Sequence, residues 1–211
     1  YCFYDRRAFK MKKALLITPM SKNIIQDDSY DYIGVDSGAL LLMEAKIPMR
    51  FAVGDFDSMT EDEFQRLQGT CQIIRHPVQK NETDSELAVS LCKKKGYDEI
   101  ILYGALSGRI DHTFANIRLL MYRYPHLVLL DDHQKITLLS KGEHVIKKAY
   151  THVSFFALED TIITLEGFIY PLYKEPITVK DIFCVSNSIV HEEAKVTLDI
   201  GKVLCIQSNV K

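Results

Sequence analysis

Phe51-Ala52-Val53-Gly54-Asp55-Phe56-Asp57-Ser58, residues 51–58, holds a short apolar run, then a glycine, then two acids one residue apart. An apolar run of this length that ends in turn chemistry reads as a buried strand running into a loop. The same unit recurs on both sides, at 14–18, 32–35, 73–75, 100–103 and 128–130. Between these runs lie helical periods at 39–45, 61–68, 85–95 and 113–124. The last of them carries Ile117, Leu120, Met121 and Tyr124 at i, i+3, i+4 and i+7, one apolar helix face. Thr60 with Glu63, and Thr83 with Glu86, fit the capping box that opens a helix. Strands alternating with helices predict an α/β domain with a mostly parallel sheet covered on both faces, over residues 11–132.

Beyond residue 132 the helical period disappears. Strand-like runs follow at 136–139, 153–157, 161–165, 177–179, 195–200 and 203–207, and Lys141-Gly142-Glu143 and Ile200-Gly201-Lys202 read as turns between them. Closely spaced strands without helices predict an all-β C-terminal sandwich over residues 133–211. Residues 1–10 contain no Met, whereas Met11-Lys12-Lys13 looks like a natural start, so 1–10 are expected to be an extension outside the fold.

Composition narrows the class. Of 211 residues, 47% are hydrophobic and 26% charged, ordinary values for a globular protein with ample core. A net charge of -2 argues against non-specific binding to nucleic acid, so any phosphate recognition has to be local. No apolar run is long enough to span a membrane. The five cysteines are odd in number, widely spaced and without a CxxC pair, which points to reduced thiols in a cytoplasmic protein.

In an open α/β sheet, ligands bind beyond the carboxyl ends of the strands. Asp36, Asp55 and Asp57 each follow an expected strand, Asp84 opens a helix, and Gly108-Arg109-Ile110-Asp111-His112 follows the strand at 100–103. Crowded carboxylates repel one another unless a cation lies between them, which suggests a Mg²⁺ site for a nucleotide's phosphates. Each residue also has a plainer reading. Asp after a strand is often a turn residue, Asp84 suits the first turn of a helix, and Arg109 with Asp111 could be a surface pair. The functional reading rests on all of them falling at one edge of the sheet.

Gly54-Asp55-Phe56-Asp57-Ser58, Glu82-Thr83-Asp84, and Gly108-Arg109-Ile110-Asp111-His112 with Asn116 resemble the three signature motifs of the thiamine pyrophosphokinase family. Val35-Asp36-Ser37-Gly38-Ala39 resembles its earlier Asp-Gly-Gly-Ala element, and Val185-Ser186-Asn187 the Ser-Asn of its C-terminal domain. The resemblance implies transfer of a pyrophosphoryl group from ATP to thiamine, with Mg²⁺ required. It implies Asp55, Asp57 and Asp84 as metal ligands, Arg109 on phosphate oxygens, and Asp111 at the attacking hydroxyl. Asp36, Gly38, Ser58, Lys80, Thr83, His112 and Asn116 would line the ATP site. Ser186 and Asn187 would bind thiamine near the interface of a homodimer. The chain departs from the family in having Ser37 where a second Gly is common, and in having no Trp to stack on the vitamin.

Three rival readings stay open on sequence alone. Asp55-Phe56-Asp57-Ser58-Met59 resembles the start of a haloacid-dehalogenase-type phosphatase, with Asp131-Asp132 as its later acidic pair. A metal-dependent DxD glycosyltransferase is the second. A module that senses a nucleotide or vitamin without turnover is the third.

Overall fold

The computed structural model describes residues 11–77 and 81–209. The expected extension at 1–10 therefore lies outside the described residues. The parallel part runs β1 (Lys13–Ile17), β2 (Tyr30–Val35), α1 (Gly38–Glu44), β3 (Met49–Gly54), α2 (Glu61–Gln68), β4 (Gln72–Arg75), α3 (Asp84–Lys94), β5 (Glu99–Tyr103), α4 (Ile110–Tyr122) and β6 (Leu127–Leu130). Its strands lie in the order β6-β5-β1-β2-β3-β4, all parallel. Alternation along the central strand splits the core. Leu16 packs with Val89 of α3 and Leu120 of α4, while Leu15 and Ile17 pack with Leu42 of α1. A sheet covered on both faces needs apolar residues at successive positions, as in Ala14-Leu15-Leu16-Ile17, all at most 1% exposed.

The helix starts follow local chemistry. At α2 the Thr60 side chain accepts from the Glu63 backbone N–H while Glu63 reaches back to the Thr60 N–H, so the capping box is complete. At α3 only half of it forms. Thr83 accepts from the Glu86 N–H at 3.1 Å, but the Glu86 carboxylate pairs with Arg123, at the end of α4. The contact ties two neighbouring helices together, a use that the local spacing does not reveal.

The antiparallel part is built on two long strands, β7 (Gln134–Lys147) and β11 (Glu193–Ser208), with β8 (His152–Ala157), β9 (Thr161–Glu166) and β10 (Leu172–Ile177). β6 pairs antiparallel with β7, through Leu129 with Ile136, so the two parts share one continuous sheet. β11 pairs with β7 along its length, with β9 through its first half and with β8 through its second. β8 and β9 thus lie on different stretches of the same strand and share a core of Val153, Phe155, Ile163, Leu165, Val196 and Cys205. This is the expected sandwich.

Three expectations in this part are corrected. Lys141-Gly142-Glu143 and Ile200-Gly201-Lys202 are not turns between strands, because β7 and β11 run straight through them. Gly142 and Gly201 have φ of +136° and +83°, and the register shifts between Leu198 and Lys202, opposite Gly142. Glycine there makes a bulge that bends the ribbon without ending it. The strand expected at 177–179 is β10, placed earlier, an edge strand that tolerates Pro176 because among the described residues it pairs with β9 alone.

Candidate active site

Parallel strands bring the loops after β2, β3 and β4 to one edge. Val35 pairs with Val53 and Gly54 with Arg75, so Asp36 and the Gly54–Ser58 loop are direct neighbours. The Asp36 N–H donates to the Val53 carbonyl at 2.9 Å, and the Ser58 hydroxyl donates to Asp36 Oδ2 at 3.0 Å. A side chain at Gly54 would come within 3.0 Å of the Asp36 Cα, so glycine permits this approach. Asp36 and Phe56 both hold positive φ, +48° and +59°. Non-glycine residues in that region cost energy and are kept by surrounding contacts. For Phe56 these include burial against Phe64 and the Asp57 N–H, which donates to Asp55 Oδ1 at 3.2 Å.

Asp55 is 9% exposed and its carbonyl accepts from Arg75 Nε at 3.3 Å, whereas Asp57 is exposed. Among the described residues, Asp36 Oδ1 is buried without a hydrogen-bond partner. A buried carboxylate oxygen left so is costly unless a cation or donor comes to it. Asp84 stands in the first turn of α3, capped by Thr83. Lys80 lies outside the described residues. Among the described residues, no group of three or more His, Cys, Asp or Glu is gathered closely enough to hold a metal by itself.

On the far side of β1, Arg109 stands directly before α4, without a side-chain bond to its first turn, and Asp111 sits in that turn. The two form a two-pronged ion pair, Nε to Oδ1 at 3.1 Å and Nη2 to Oδ2 at 2.6 Å, both exposed. The Arg109 guanidinium holds the Asp111 carboxyl below the usual carboxylate range. Gly108 (φ +86°) brings this loop against Met20. His112 is exposed, while Asn116 is buried and donates its amide to the Ala105 carbonyl at 2.9 Å, bracing the loop. Gly38 lies under this edge, where a Cβ would fall 2.1 Å from the Ile17 carbonyl oxygen.

Ser186 and Asn187 belong to the antiparallel part. The Ser186 N–H donates to Ser154 Oγ at 3.0 Å. Asn187 is buried, accepting from the N–H of Tyr170 and Ser188 and donating to the Tyr170 carbonyl at 2.8 Å. Its amide fixes the backbone of Tyr170, a residue that is 68% exposed. Tyr170, Phe183, Cys184 and Val185 line a cleft of about 290 Å³ there. Burial, with Glu175 and Asp181 nearby, pushes the Cys184 thiol up to about 11. A larger hollow of about 620 Å³ opens at the amino ends of β2 and β3, beside Tyr30 and Met49, the edge opposite the acidic loops.

The model of the thiamin pyrophosphokinase catalytic domain matches residues 22–129, and that of the thiamin pyrophosphokinase vitamin B1 binding domain matches 143–203. The chain belongs to the thiamin pyrophosphokinase family. Thiamine pyrophosphokinase of Bacillus subtilis is 32% identical to it, over 94% of this chain and 99% of that one. The solved structure of the Bacillus subtilis enzyme superposes with a TM-score of 0.85 at 31% identity, covering 95% of this chain and all of that one. A thiamin pyrophosphokinase family protein from Enterococcus faecalis gives 0.84 at 29% identity, covering 95% and 100%. Within a thiamin pyrophosphokinase the phosphatase, glycosyltransferase and sensor readings are not favoured. Sequence reasoning missed Phe183 at the cleft, and it read Asp131 and Asp132 beyond β6 as a phosphatase's acidic pair without the Tyr103 and Asn23 that hold Asp132. The paired acids after a strand were the available signal there.

Proposed function

We infer that this chain transfers the pyrophosphoryl group of ATP to thiamine, giving thiamine diphosphate and AMP. The observation that carries the reading is the match of catalytic and vitamin-binding family models in tandem along one chain. On this reading residues 11–132 bind ATP and metal, and residues 133–211 bind the vitamin and form a homodimer. Its setting would be the cytoplasm. No helix among the described residues is long and apolar enough to cross a membrane.

We assign Asp55, Asp57 and Asp84 to Mg²⁺, and Asp36, Gly38, Ser58, Lys80, Thr83, His112 and Asn116 to the lining of the ATP site. The all-oxygen donor set and the unpartnered Asp36 Oδ1 suit a hard cation. Mg²⁺ usually takes only one or two protein carboxylates and completes its shell with substrate phosphates and water, so no closed protein cage is required. When bound it would neutralise charge on the phosphate tail. In the transfer, the thiamine hydroxyl oxygen bonds to the β-phosphorus as the bond from that phosphorus to the α,β-bridging oxygen breaks. AMP leaves with the bridging oxygen. Arg109 would bind phosphate oxygens. Asp111, held below the usual range, is suited to orient the attacking hydroxyl by accepting its hydrogen bond, with the released proton passing to water. Protein groups do little covalent chemistry in such transfers; position and charge do the rest.

Thiamine is assigned to the cleft beside Ser186 and Asn187. Apolar Leu165, Leu172 and Val185 suit its rings, and Tyr170 and Phe183 offer faces for a cationic thiazolium. The exposed Tyr170, Tyr173, Ile182 and Phe183 would meet the second subunit. Tyr170→Ala is expected to raise KM for thiamine roughly tenfold, a loss of about 1–2 kcal/mol, with KM for ATP unchanged. An equal rise in both constants would refute that placement.

The deciding experiment is incubation with ATP, Mg²⁺ and thiamine, followed by chromatography of the nucleotides and thiamine esters. Equimolar AMP and thiamine diphosphate, both abolished by a chelator, are expected. ADP with thiamine monophosphate would refute the transferred group, and the absence of any thiamine-dependent product would refute the activity.

A further inference from the structure

The chain builds β1 to β4 outward in one direction and then returns to place β5 on the other side of β1. The gap beyond the carboxyl ends of β1 and β5 is therefore the switch point of the sheet, where ligands of open α/β sheets bind. A cleft of about 60 Å³ opens there. Met20, Ser21 and Lys22 line it from β1, Tyr103, Gly104 and Ser107 from β5, and Asp131, Asp132 and His133 from β6. None of these residues has been given a part in catalysis. Gly104 has φ +76°, and a Cβ there would fall 2.4 Å from Thr18 Oγ1, so the floor admits only glycine.

The two acids differ in what they have left to offer. Asp132 is taken up internally by the Tyr103 hydroxyl on one oxygen and Asn23 Nδ2 on the other, at 2.7 Å. Asp131 Oδ1 is fixed by the backbone N–H groups of His133 and Gln134, at 2.9 and 2.7 Å. Among the described residues its Oδ2 takes one donor, the Ser107 hydroxyl, in a long contact of 3.2 Å. A carboxylate oxygen can accept more than one hydrogen bond. Ser107 directly precedes Gly108-Arg109, so the cleft is continuous with the start of α4. Resting on the pyrophosphokinase reading above, we propose that the switch-point cleft seats the ribose of the nucleotide, with Asp131 Oδ2 accepting from a ribose hydroxyl. The volume, about that of two waters, suits the hydroxyl edge of a sugar and not a whole base. The phosphate tail then leads past Arg109 toward the loops after β2 and β3.

The test compares ATP with 2′-deoxy-ATP and 3′-deoxy-ATP, with Mg²⁺ and thiamine present. The wild-type protein is expected to use at least one deoxy analogue roughly ten- to a hundredfold less efficiently by kcat/KM. Asp131→Asn keeps an acceptor for the two backbone N–H groups and so its Tm, yet it should bring ATP down to the deoxy level with KM for thiamine unchanged. Asp132→Asn should lower Tm and leave the ribose preference intact. Equal use of all three nucleotides by the wild type overturns the proposal without any variant, as does a preference that survives Asp131→Asn. If the wild type forms no AMP from any nucleotide, the activity reading fails separately. Calorimetric titration with Mg²⁺ and the same nucleotides then decides the cleft: tighter binding of ATP than of a deoxy analogue supports it, and equal or no binding overturns it.

Discussion

Asp57→Asn is expected to leave the fold intact and lower turnover by roughly 10²- to 10³-fold, about 2.7–4 kcal/mol of lost transition-state stabilisation. Asp57 is the cleanest of the three proposed metal ligands to test. It is exposed, and its backbone N–H, which asparagine keeps, donates to Asp55 Oδ1 in the turn. Exposed substitutions of this kind usually move stability by no more than about 0.5 kcal/mol. Asp55→Ala would confound the two effects, because Asp55 Oδ1 itself accepts the Asp57 N–H in the turn. The measurement is steady-state kinetics beside a thermal melt. Near-normal turnover in a normally melting variant would remove Asp57 from the metal site.

Gly38→Ala should have the largest effect on stability among single-methyl changes at this edge. The added Cβ would stand 2.1 Å from the Ile17 carbonyl oxygen and 2.8 Å from the carbonyl carbons of Ile17 and Thr18. Those are backbone atoms of the central strand and its exit, and they cannot rotate aside as a side chain would. Forcing volume into such a contact costs roughly 1–3 kcal/mol, which for a chain of this length lowers Tm by roughly 2–12 °C. Relief requires α1 to lift, and α1 begins two residues after Asp36, so a raised KM for ATP should accompany the lower Tm. An unchanged melt would mean that β1 and α1 are not packed as described.

The α/β half was legible because its two periods are strong and separate. The run 14–17 became the buried central strand, and the apolar face of Ile117, Leu120 and Met121 became the inner side of α4. The bulges at Gly142 and Gly201 were not legible, because the same glycine and lysine signals serve a turn and a bulge alike. Only the partner strand distinguishes them. A similar limit applies to polar motif members. Asn116 and Asn187 stand where the motif spacing put them, but what their amides bond to, Ala105 and Tyr170, depends on chain segments that spacing does not contain. Glu86 likewise gave up half of an expected capping box to a helix distant in sequence.

β11 has a consequence for biosynthesis. It joins β7, β8 and β9, and it is the last strand among the described residues. A ribosome delivers it after β7, β8 and β9, the strands it joins. The parallel layers from β1 to β6 can form as they emerge, but β8 and β9 have no shared neighbour until β11 arrives. For that interval the edges of β7, β8 and β9 that β11 will cover stay unpaired, which is where misassociation between chains is expected to begin.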